Sequence, residues 1–280
     1  HAEVEVPSVE AENAQIFAKK NGTVYENFLM TRPPVMETKA IEDVIEVCSQ
    51  EYGVRCHIVH LTAAEAIPIL RRVQSSSSHS HITAETCTHY LYFHSEEIPN
   101  GATEYKCCPP IRNATNRELL WDALSEGVLS MVTSDHSPSP TDMKNGDFLR
   151  SWGGISSLEV SLPALVNPML LRGFTFNDLV KWKCEEPAKL VGLDRVKGRI
   201  APGMDADLVI WNPSESYVLD VHDESLFKHR HKSSPYHRRL LQGRVKKTIL
   251  RGRVIYDSKD GGVSPVPQGA ILVRTTPVWM

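Results

Sequence analysis

The sequence predicts an α/β fold in which the C-terminal half of a TIM-like (β/α)8 barrel precedes a small β-rich module. In the first part of the chain, short apolar segments alternate with segments of helical periodicity, as parallel strands with crossover helices require. Polar residues suited to metal binding or acid–base chemistry follow the apolar segments. Near residue 195 the pattern changes to short strand-like runs separated by glycine and proline. We therefore divide the chain into a barrel part, residues 1–194, and a β module, residues 195–280.

The individual elements follow from periodicity and length. The predicted barrel strands are residues 54–60, 82–87 and 128–133. Helical spacing predicts helices at 7–20, through residues 41–48 to an end near 52–53, and at 63–73, 116–126, 155–165 and 177–191. Thr62 is expected to cap the helix at 63–73. The strand-like runs of the β module are 208–211, 245–250 and 254–256. A complete barrel takes about 250 residues, and only about 190 precede the change of pattern. We therefore expect a fragment whose first barrel strands are missing, and a start at His1 rather than methionine agrees with this.

Composition excludes several classes of partner. The net charge is -3, so we expect no nucleic-acid partner. No apolar run approaches the ~20 residues of a membrane helix, and we expect no membrane partner. The six cysteines lack metal-ribbon spacing, and Cys107 and Cys108 are adjacent. We interpret them as reduced thiols of a cytoplasmic or organellar protein, with the peroxisome or mitochondrion as possible compartments. No signal peptide opens the chain, so we expect no secretion.

Three side chains that follow separate predicted strands form the candidate metal site: His1, His60 and Asp135. Imidazole and carboxylate groups together suit zinc and related divalent ions. Asp135 stands where a buried strand ends, which is the position a barrel uses for catalysis, and it is the candidate acid–base group. The alternative is that Asp135 only caps the turn that follows. For the neighbouring His89 and Tyr90 we favour packing or a pocket wall over ligation.

Five motifs in order carry a resemblance to a known family: His1-Ala2-Glu3, His57-Ile58-Val59-His60-Leu61-Thr62, Glu85-Thr86-Cys87-Thr88-His89-Tyr90-Leu91, Cys108-Pro109-Pro110-Ile111-Arg112 and Ser134-Asp135-His136-Ser137-Pro138. With them the chain resembles the cyclic amidohydrolases of the dihydroorotase, hydantoinase and allantoinase group. Trp152-Gly153-Gly154-Ile155 and the segment from Phe227 to Tyr236 are most similar to the allantoinases. The resemblance implies an amidohydrolase barrel with a β-sandwich module.

The resemblance also implies roles for individual residues. His1 and His60 would bind one metal of a binuclear centre, and Asp135 would bind the other and act as general base and then as acid. Pro110, Ile111 and Arg112, with Ser137 and Pro138, would line the substrate pocket; Arg112 has the alternative role of bracing its loop through a carboxylate. The family uses two zinc ions, a His-x-His pair and a bridging carboxylated lysine. The family places this pair and this lysine before the motif that begins at His1, outside these 280 residues.

The implied reaction is the metal-dependent opening of the small-molecule substrate allantoin to allantoate, in purine and ureide catabolism. The resemblance also implies a homo-oligomer for the full-length enzyme. One alternative is a hydantoinase or dihydropyrimidinase that acts on another ring. A second alternative is a non-catalytic scaffold related to dihydropyrimidinase, or a truncated remnant. Retention of His1, His60 and Asp135 argues against the scaffold.

Overall fold

The computed structural model describes residues 1–50, 54–76, 81–260 and 262–272. Within these residues the chain forms two compact units. The first contains His1–Ser161 and His229–Tyr236, and the second contains Leu162–Lys228 and the chain from His237 onward. The predicted boundary between residues 194 and 195 therefore lies inside the second unit. The assignment of residues 1–194 to a barrel and 195–280 to a sandwich stays a prediction.

Helices and strands alternate in the first unit. Its strands are β1 (Cys56–Ile58), β2 (Ile82–Cys87) and β3 (Met131–Thr133), and its helices are α1 (Pro7–Lys19), α2 (Tyr25–Met30), α3 (Val35–Gln50), α4 (Ile67–Gln74), α5 (Thr88–Tyr92) and α6 (Ala114–Ser125). Helix α4 shows why these segments fold as they do: it buries Ile67, Leu70 and Val73 at helical spacing and exposes Arg71 and Arg72. The predicted α/β organisation is confirmed.

The strands of the first unit form a parallel sheet in the order β1-β2-β3. Ile58 pairs with Ala84, and Cys87 pairs with Thr133. The central strand β2 is buried along most of its length, because helices pack on a parallel sheet from both faces. Since the strands are parallel, the residues that follow them emerge at one edge of the sheet. This edge holds the candidate site.

The second unit combines helices with an antiparallel sheet. Its helices are α7 (Pro163–Leu171), α8 (Phe176–Val180) and α9 (Glu186–Leu190), and its strands are β4 (Leu208–Val218), β5 (Leu240–Leu250), β6 (Arg253–Asp257) and β7 (Gly262–Val263), paired in chain order. Helix α7 packs on β5 next to Gly243. A Cβ at Gly243 would lie 2.8 Å from the Trp211 ring and 3.2 Å from Val166, so this close approach requires glycine.

Three local predictions are wrong. Residues 155–162 form no helix, and α7 begins at Pro163, because the backbone near Ile155 pairs with His136. Thr62 does not cap the following turn, since its hydroxyl donates to the Pro110 carbonyl instead. Cys48 is disulfide-bonded to Cys56, so this pair is not reduced: α3 ends shortly after Cys48, and β1 begins at Cys56. Cys87, Cys107, Cys108 and Cys184 are free thiols.

Among the described residues, the helices lack the combination of length and apolar character that a bilayer-spanning helix needs.

Candidate active site

Two of the predicted site residues have an unusual backbone. His60 and Asp135 follow β1 and β3 and have φ angles of 42° and 43°. L-residues other than glycine seldom adopt this left-handed region, and such conformations cost on the order of 1–3 kcal/mol. Both residues therefore turn sharply as their strands end, and the surrounding hydrogen bonds must hold these turns in place.

The side chains of His1 and His60 converge. Nδ1 of His1 lies 2.9 Å from Nε2 of His60, and the ring centroids are 4.7 Å apart. The other nitrogen of His60, Nδ1, is buried and has no hydrogen-bond partner among the described residues. Burial lowers the pKa of His60, which favours the neutral imidazole that a metal requires. The two facing nitrogens, His1 Nδ1 and His60 Nε2, are thus placed to bind one metal ion together.

A buried carboxylate lies near Nε2 of His1, the ring nitrogen that does not face His60. Nε2 of His1 lies 3.4 Å from Oε2 of Glu3, whose side chain is only 2% exposed. Arg32 forms an ion pair with the same carboxylate oxygen. A carboxylate near Nε2 favours the tautomer that carries its proton there and leaves the Nδ1 lone pair directed at His60. Glu3 therefore orients the His1 ring for metal binding.

Asp135 lies in a different cluster of potential ligands. Its carboxylate, Cys87 Sγ and a ring nitrogen of His89 all lie within 4.8 Å of one another, and Cys87 and His89 are fully buried. Burial raises the pKa of Asp135, and the negative charge of Glu85 raises it further. A raised pKa suits a carboxyl that must both accept and return a proton. The sequence placed Asp135 correctly after its strand, but Cys87 was not singled out and His89 was expected only to pack.

Glu85 of β2 connects the two clusters. Its Oε1 accepts a hydrogen bond from Thr133 Oγ1 at 2.9 Å and one from the His60 backbone N–H at 3.4 Å. Its Oε2 lies 3.1 Å from His57 Nε2. One nearly buried carboxylate therefore stabilises the turn of His60 and the strand that leads to Asp135. Sequence reasoning missed this role, although a glutamate in the middle of a buried strand was a detectable signal.

The loop Pro109–Ile111 directs its carbonyl groups into the protein. Tyr90 Oη donates to the Pro109 carbonyl at 2.7 Å, Thr62 Oγ1 to that of Pro110 at 3.1 Å, and Tyr25 Oη to that of Ile111 at 3.0 Å. Burial raises the pKa of both phenols, so both remain donors. These carbonyls are already engaged, and substrate binding by Pro110 and Ile111 stays a prediction.

Arg112 also turns toward the protein interior. Its Nη2 donates to Glu37 Oε1 at 2.7 Å, and its Nη1 donates to the Arg32 carbonyl at 3.2 Å. The second oxygen of Glu37 accepts the backbone N–H groups of Thr62 and Ala63 at 3.0 and 3.1 Å. The pair therefore joins the loop before Arg112 to the turn after His60, which is the bracing role considered as the alternative to substrate contact.

Ser137 and Pro138 are more accessible than the loop at Pro110. Ser137 is partly buried and Pro138 is exposed, just after Asp135. The N–H of Ser137 donates to the Ile155 carbonyl at 3.0 Å. Nδ1 of His136 accepts the N–H groups of Ser157 and Leu158 at 3.1 and 3.2 Å. Residues 155–158 thus hold the stretch after Asp135, and Pro138 remains exposed. Substrate binding by Ser137 and Pro138 stays a prediction.

A family model matches this chain. The model of the amidohydrolase family covers residues 21–255, which includes β1 to β5, the start of β6 and most of the site residues. The chain belongs to the amidohydrolase family. Members of this family generally bind a divalent metal, and the converging nitrogens of His1 and His60 fit one. A tetrahedral ion with ligands at 2.0–2.1 Å holds two nitrogens roughly 3.3 Å apart, close to the observed separation.

Curated relatives of this amidohydrolase chain include allantoinases. It is 42% identical over 254 residues to "Allantoinase" of Saccharomyces cerevisiae, covering 89% of this chain and 53% of the relative. It is 38% identical over 266 residues to "Allantoinase" of Arabidopsis thaliana, covering 91% of this chain and 51% of that relative. The chain spans about half the length of the curated relatives it matches.

Solved structures similar to this amidohydrolase chain include hydantoinases. The L-hydantoinase (dihydropyrimidinase) from Arthrobacter aurescens aligns with a TM-score of 0.82 at 26% identity, covering 94% of this chain and 57% of that one. A D-hydantoinase from Bacillus sp. AR9 aligns with the same TM-score at 28% identity, covering 94% and 58%. The likeness agrees with a TIM-barrel-like α/β fold.

Proposed function

We propose that this chain carries part of the active site of a metal-dependent enzyme that opens allantoin to allantoate. The convergence of His1 Nδ1 and His60 Nε2 at 2.9 Å is the observation that carries the proposal. Similarity to curated allantoinases along about nine-tenths of the chain supports the choice of substrate. Hydantoinase or dihydropyrimidinase activity is the second candidate, favoured by the similar solved structures.

His1, His60 and Asp135 are the proposed metal ligands, and the ions are proposed to be two zincs per complete site. The bound metal would supply Lewis acidity toward water and toward the ring carbonyl. Glu3 keeps the proton of His1 on Nε2, and Glu85 holds the backbone of His60. The carboxylate of Asp135 accepts a proton from the attacking water and returns it to the amide nitrogen as the ring opens.

The broader assignments are also proposals. Residues 1–194 would form the C-terminal half of a TIM-like barrel and residues 195–280 a β-sandwich module. Ser137 and Pro138, with Pro110, Ile111 and Arg112, would line the pocket for the small-molecule substrate. The bridging carboxylated lysine would come from outside these 280 residues, and the complete enzyme would be a homo-oligomer in the cytoplasm or an organelle. A relative from Aquarana catesbeiana is named "Allantoinase, mitochondrial", which supports the organellar option.

The test uses the protein expressed from its complete reading frame. Allantoin, hydantoin and dihydrouracil are assayed side by side, and bound metal is measured by elemental analysis. We expect allantoin to be the preferred substrate and His60→Asn to lose both metal and activity. His94→Asn is the matched control, because His94 contacts Glu96 and caps the short turn at Glu97, asparagine is also a capping residue, and none of the candidate ligands is among its described contacts. Preference for dihydrouracil would favour the second candidate, and full metal content in His60→Asn would remove His60 from the ligand set.

A further inference from the structure

Residues 151–154 form an irregular segment that two lysines hold by its carbonyl groups. Nζ of Lys106 donates to the Ser151 carbonyl at 2.6 Å. Nζ of Lys144 donates to the carbonyls of Trp152 and Gly154 at 2.8 and 2.7 Å. The segment has no helix or strand hydrogen bonds of its own. Backbone groups outside regular structure need other partners, and here ammonium groups provide them.

Both lysines are at least partly buried, so their ammonium groups contact the backbone of the segment more than solvent. Lys106 is only 7% exposed, and its ammonium lies 5.0 Å from the centre of the Phe28 ring. Lys144 is partly buried, and its Nζ also lies 3.5 Å from the Lys106 carbonyl. A buried ammonium requires several acceptors to offset the loss of water. The carbonyls of the segment satisfy that requirement, so the lysines and the segment stabilise each other.

Ser151 is the one position of the segment with a side-chain anchor in the contacts described: it is buried, and its hydroxyl donates to Asn145 Oδ1 at 2.6 Å. Trp152 is 52% exposed, and Gly153 and Gly154 carry no side chain. The position of residues 152–154 therefore depends on backbone contacts, and the two lysines together bind three carbonyl groups of the segment.

The segment lies between residues 106–108, which precede the loop 109–111, and Ser137, which the resemblance assigns to the substrate pocket. On one side, the Gly154 N–H donates to the Lys106 carbonyl at 2.7 Å, and a Cβ at Gly153 would lie 3.1 Å from Cys108 Sγ. On the other, a Cβ at Gly154 would lie 2.4 Å from the Ser137 carbonyl oxygen. The backbone of Gly154 therefore packs directly against Ser137, and a displacement of the segment would change this contact with the stretch that follows Asp135.

We propose that Lys106 and Lys144 are positioning residues that hold the segment 151–154 against Ser137 and so fix the substrate-facing stretch after Asp135. They touch neither the candidate metal ligands nor the reacting groups in the contacts described, so they act through the segment. The effect on substrate rests on the proposed function, whereas the effect on the segment does not.

Hydrogen exchange followed by mass spectrometry tests the effect on the segment in the chain itself. Lys144→Met keeps the aliphatic stem and removes the donors, and we expect exchange in peptides covering residues 151–155 to accelerate about tenfold. Lys39→Met is the matched control, because Lys39 is exposed and pairs only with Asp43 in the contacts described. Peptides from β2 in the same samples report whether each variant is folded. Unchanged exchange at 151–155 in a folded Lys144→Met would overturn the proposal.

Lys106→Met provides a second variant, since it releases Ser151 alone and leaves the contacts of Lys144 in place. We expect it to accelerate exchange at the same segment by a smaller factor. If Lys144→Met does not fold, Lys106→Met and Lys144→Gln decide the outcome, and protection equal to the wild type in both would reject the proposal.

Kinetics of the protein from its complete reading frame test the effect on substrate. We expect Lys144→Met to raise KM for allantoin about tenfold, with kcat and metal content changed less than about twofold, because substrate binding is affected and the metal ligands are not. Lys144→Arg should recover part of the loss. Faster exchange without any change in KM would overturn the positioning role. If the wild type does not hydrolyse allantoin, the proposed function fails. The exchange experiment then still tests whether the two lysines stabilise the segment.

Discussion

One ion pair from each compact unit shows how burial changes what a charged pair does. In the first, Arg112 and Glu37 have side chains only 6% and 2% exposed and lie 2.7 Å apart. In the second, Lys197 bridges Asp205 at 2.8 Å and also contacts Asp207, with side-chain exposures of 22%, 36% and 29%. A buried pair becomes very costly when one partner is lost, whereas an exposed pair adds little. The buried pair therefore fixes loops next to the candidate site. The partly exposed pairs of Lys197 contribute little to the stability of the second unit.

The largest effect is expected at Arg112. Arg112→Met leaves the Glu37 carboxylate buried without its cation, and we expect the free energy of unfolding to fall by about 3–5 kcal/mol. Chemical denaturation measures this change. Arg150→Met is the control, because the Arg150 side chain is 79% exposed and lies 3.8 Å from Asp147. The double variant Glu37→Met with Arg112→Met should recover much of the loss, and a double variant as unstable as the single one would contradict this account.

Glu85 extends the comparison from an ion pair to a hydrogen-bonded carboxylate. Glu85→Gln should destabilise the protein by about 1–2 kcal/mol, because a buried acceptor becomes a donor beside His57. It should also lower the pKa of Asp135, since the negative charge that raises it is removed. Carboxyl carbon shifts of Asp135, titrated by NMR in metal-free protein, report that pKa. A pKa equal to or above the wild-type value would show that Glu85 does not act on Asp135.

The lowered pKa of Lys144 predicts that the free energy of unfolding depends on pH. Burial, with the charge of Lys106, lowers its pKa from 10.5 to about 8, although Cys107, Glu104 and Cys108 oppose this. The unfolded chain therefore binds more protons than the folded one between these pH values, so the free energy of unfolding should rise as the pH increases from about 8 toward 10.5. We expect a gain on the order of 1 kcal/mol after solvent screening. Burial also raises the pKa values of the Cys87 and Cys107 thiols, which lowers the free energy of unfolding of both proteins in the same pH range. Denaturation at several pH values should therefore show the contribution of Lys144 as a difference between the wild type and Lys144→Met that grows from about pH 8 toward 10.5.

The smallest effect is expected at Lys197. Lys197→Met removes contacts with two partly exposed carboxylates, and the free energy of unfolding should fall by only about 0.5 kcal/mol at moderate salt. Addition of salt should narrow the difference further, because screening weakens exposed pairs. A loss comparable with that of Arg112→Met would erase the distinction between buried and exposed pairs.

Periodicity and motif order predicted the parts of the structure that depend on local sequence. Strand β2 has the predicted bounds of Ile82 and Cys87, and α1 and α6 lie within two residues of their predicted ends. These elements repeat short-range patterns that survive in the folded chain. The sequence also grouped His1 and His60 as candidate ligands, and the structure places Nδ1 of His1 2.9 Å from Nε2 of His60.

Contacts distant in sequence account for the predictions that were wrong. Ile155 begins a segment with helical periodicity, which predicted a helix. Its backbone instead pairs with His136, nineteen positions earlier. Thr62 resembles a cap and instead donates to Pro110. Arg112 pairs with Glu37, 75 residues away, which agrees with the bracing alternative, and its contact with substrate stays a prediction. No local pattern encodes such partners, so the bracing function of Glu37 and Glu85 emerges only from the folded chain.

The engaged carbonyls of the loop 109–111 have a consequence for redesign of ring specificity. Substitutions in this loop would disturb the hydrogen bonds from Tyr90, Thr62 and Tyr25 before they changed any contact with a ligand. Ser137 and Pro138, in contrast, combine accessibility with proximity to Asp135. Under the proposed function, a library that seeks a new ring specificity should therefore vary the exposed Pro138 and leave Ser137, which packs against Gly154, and the tyrosine-anchored loop constant.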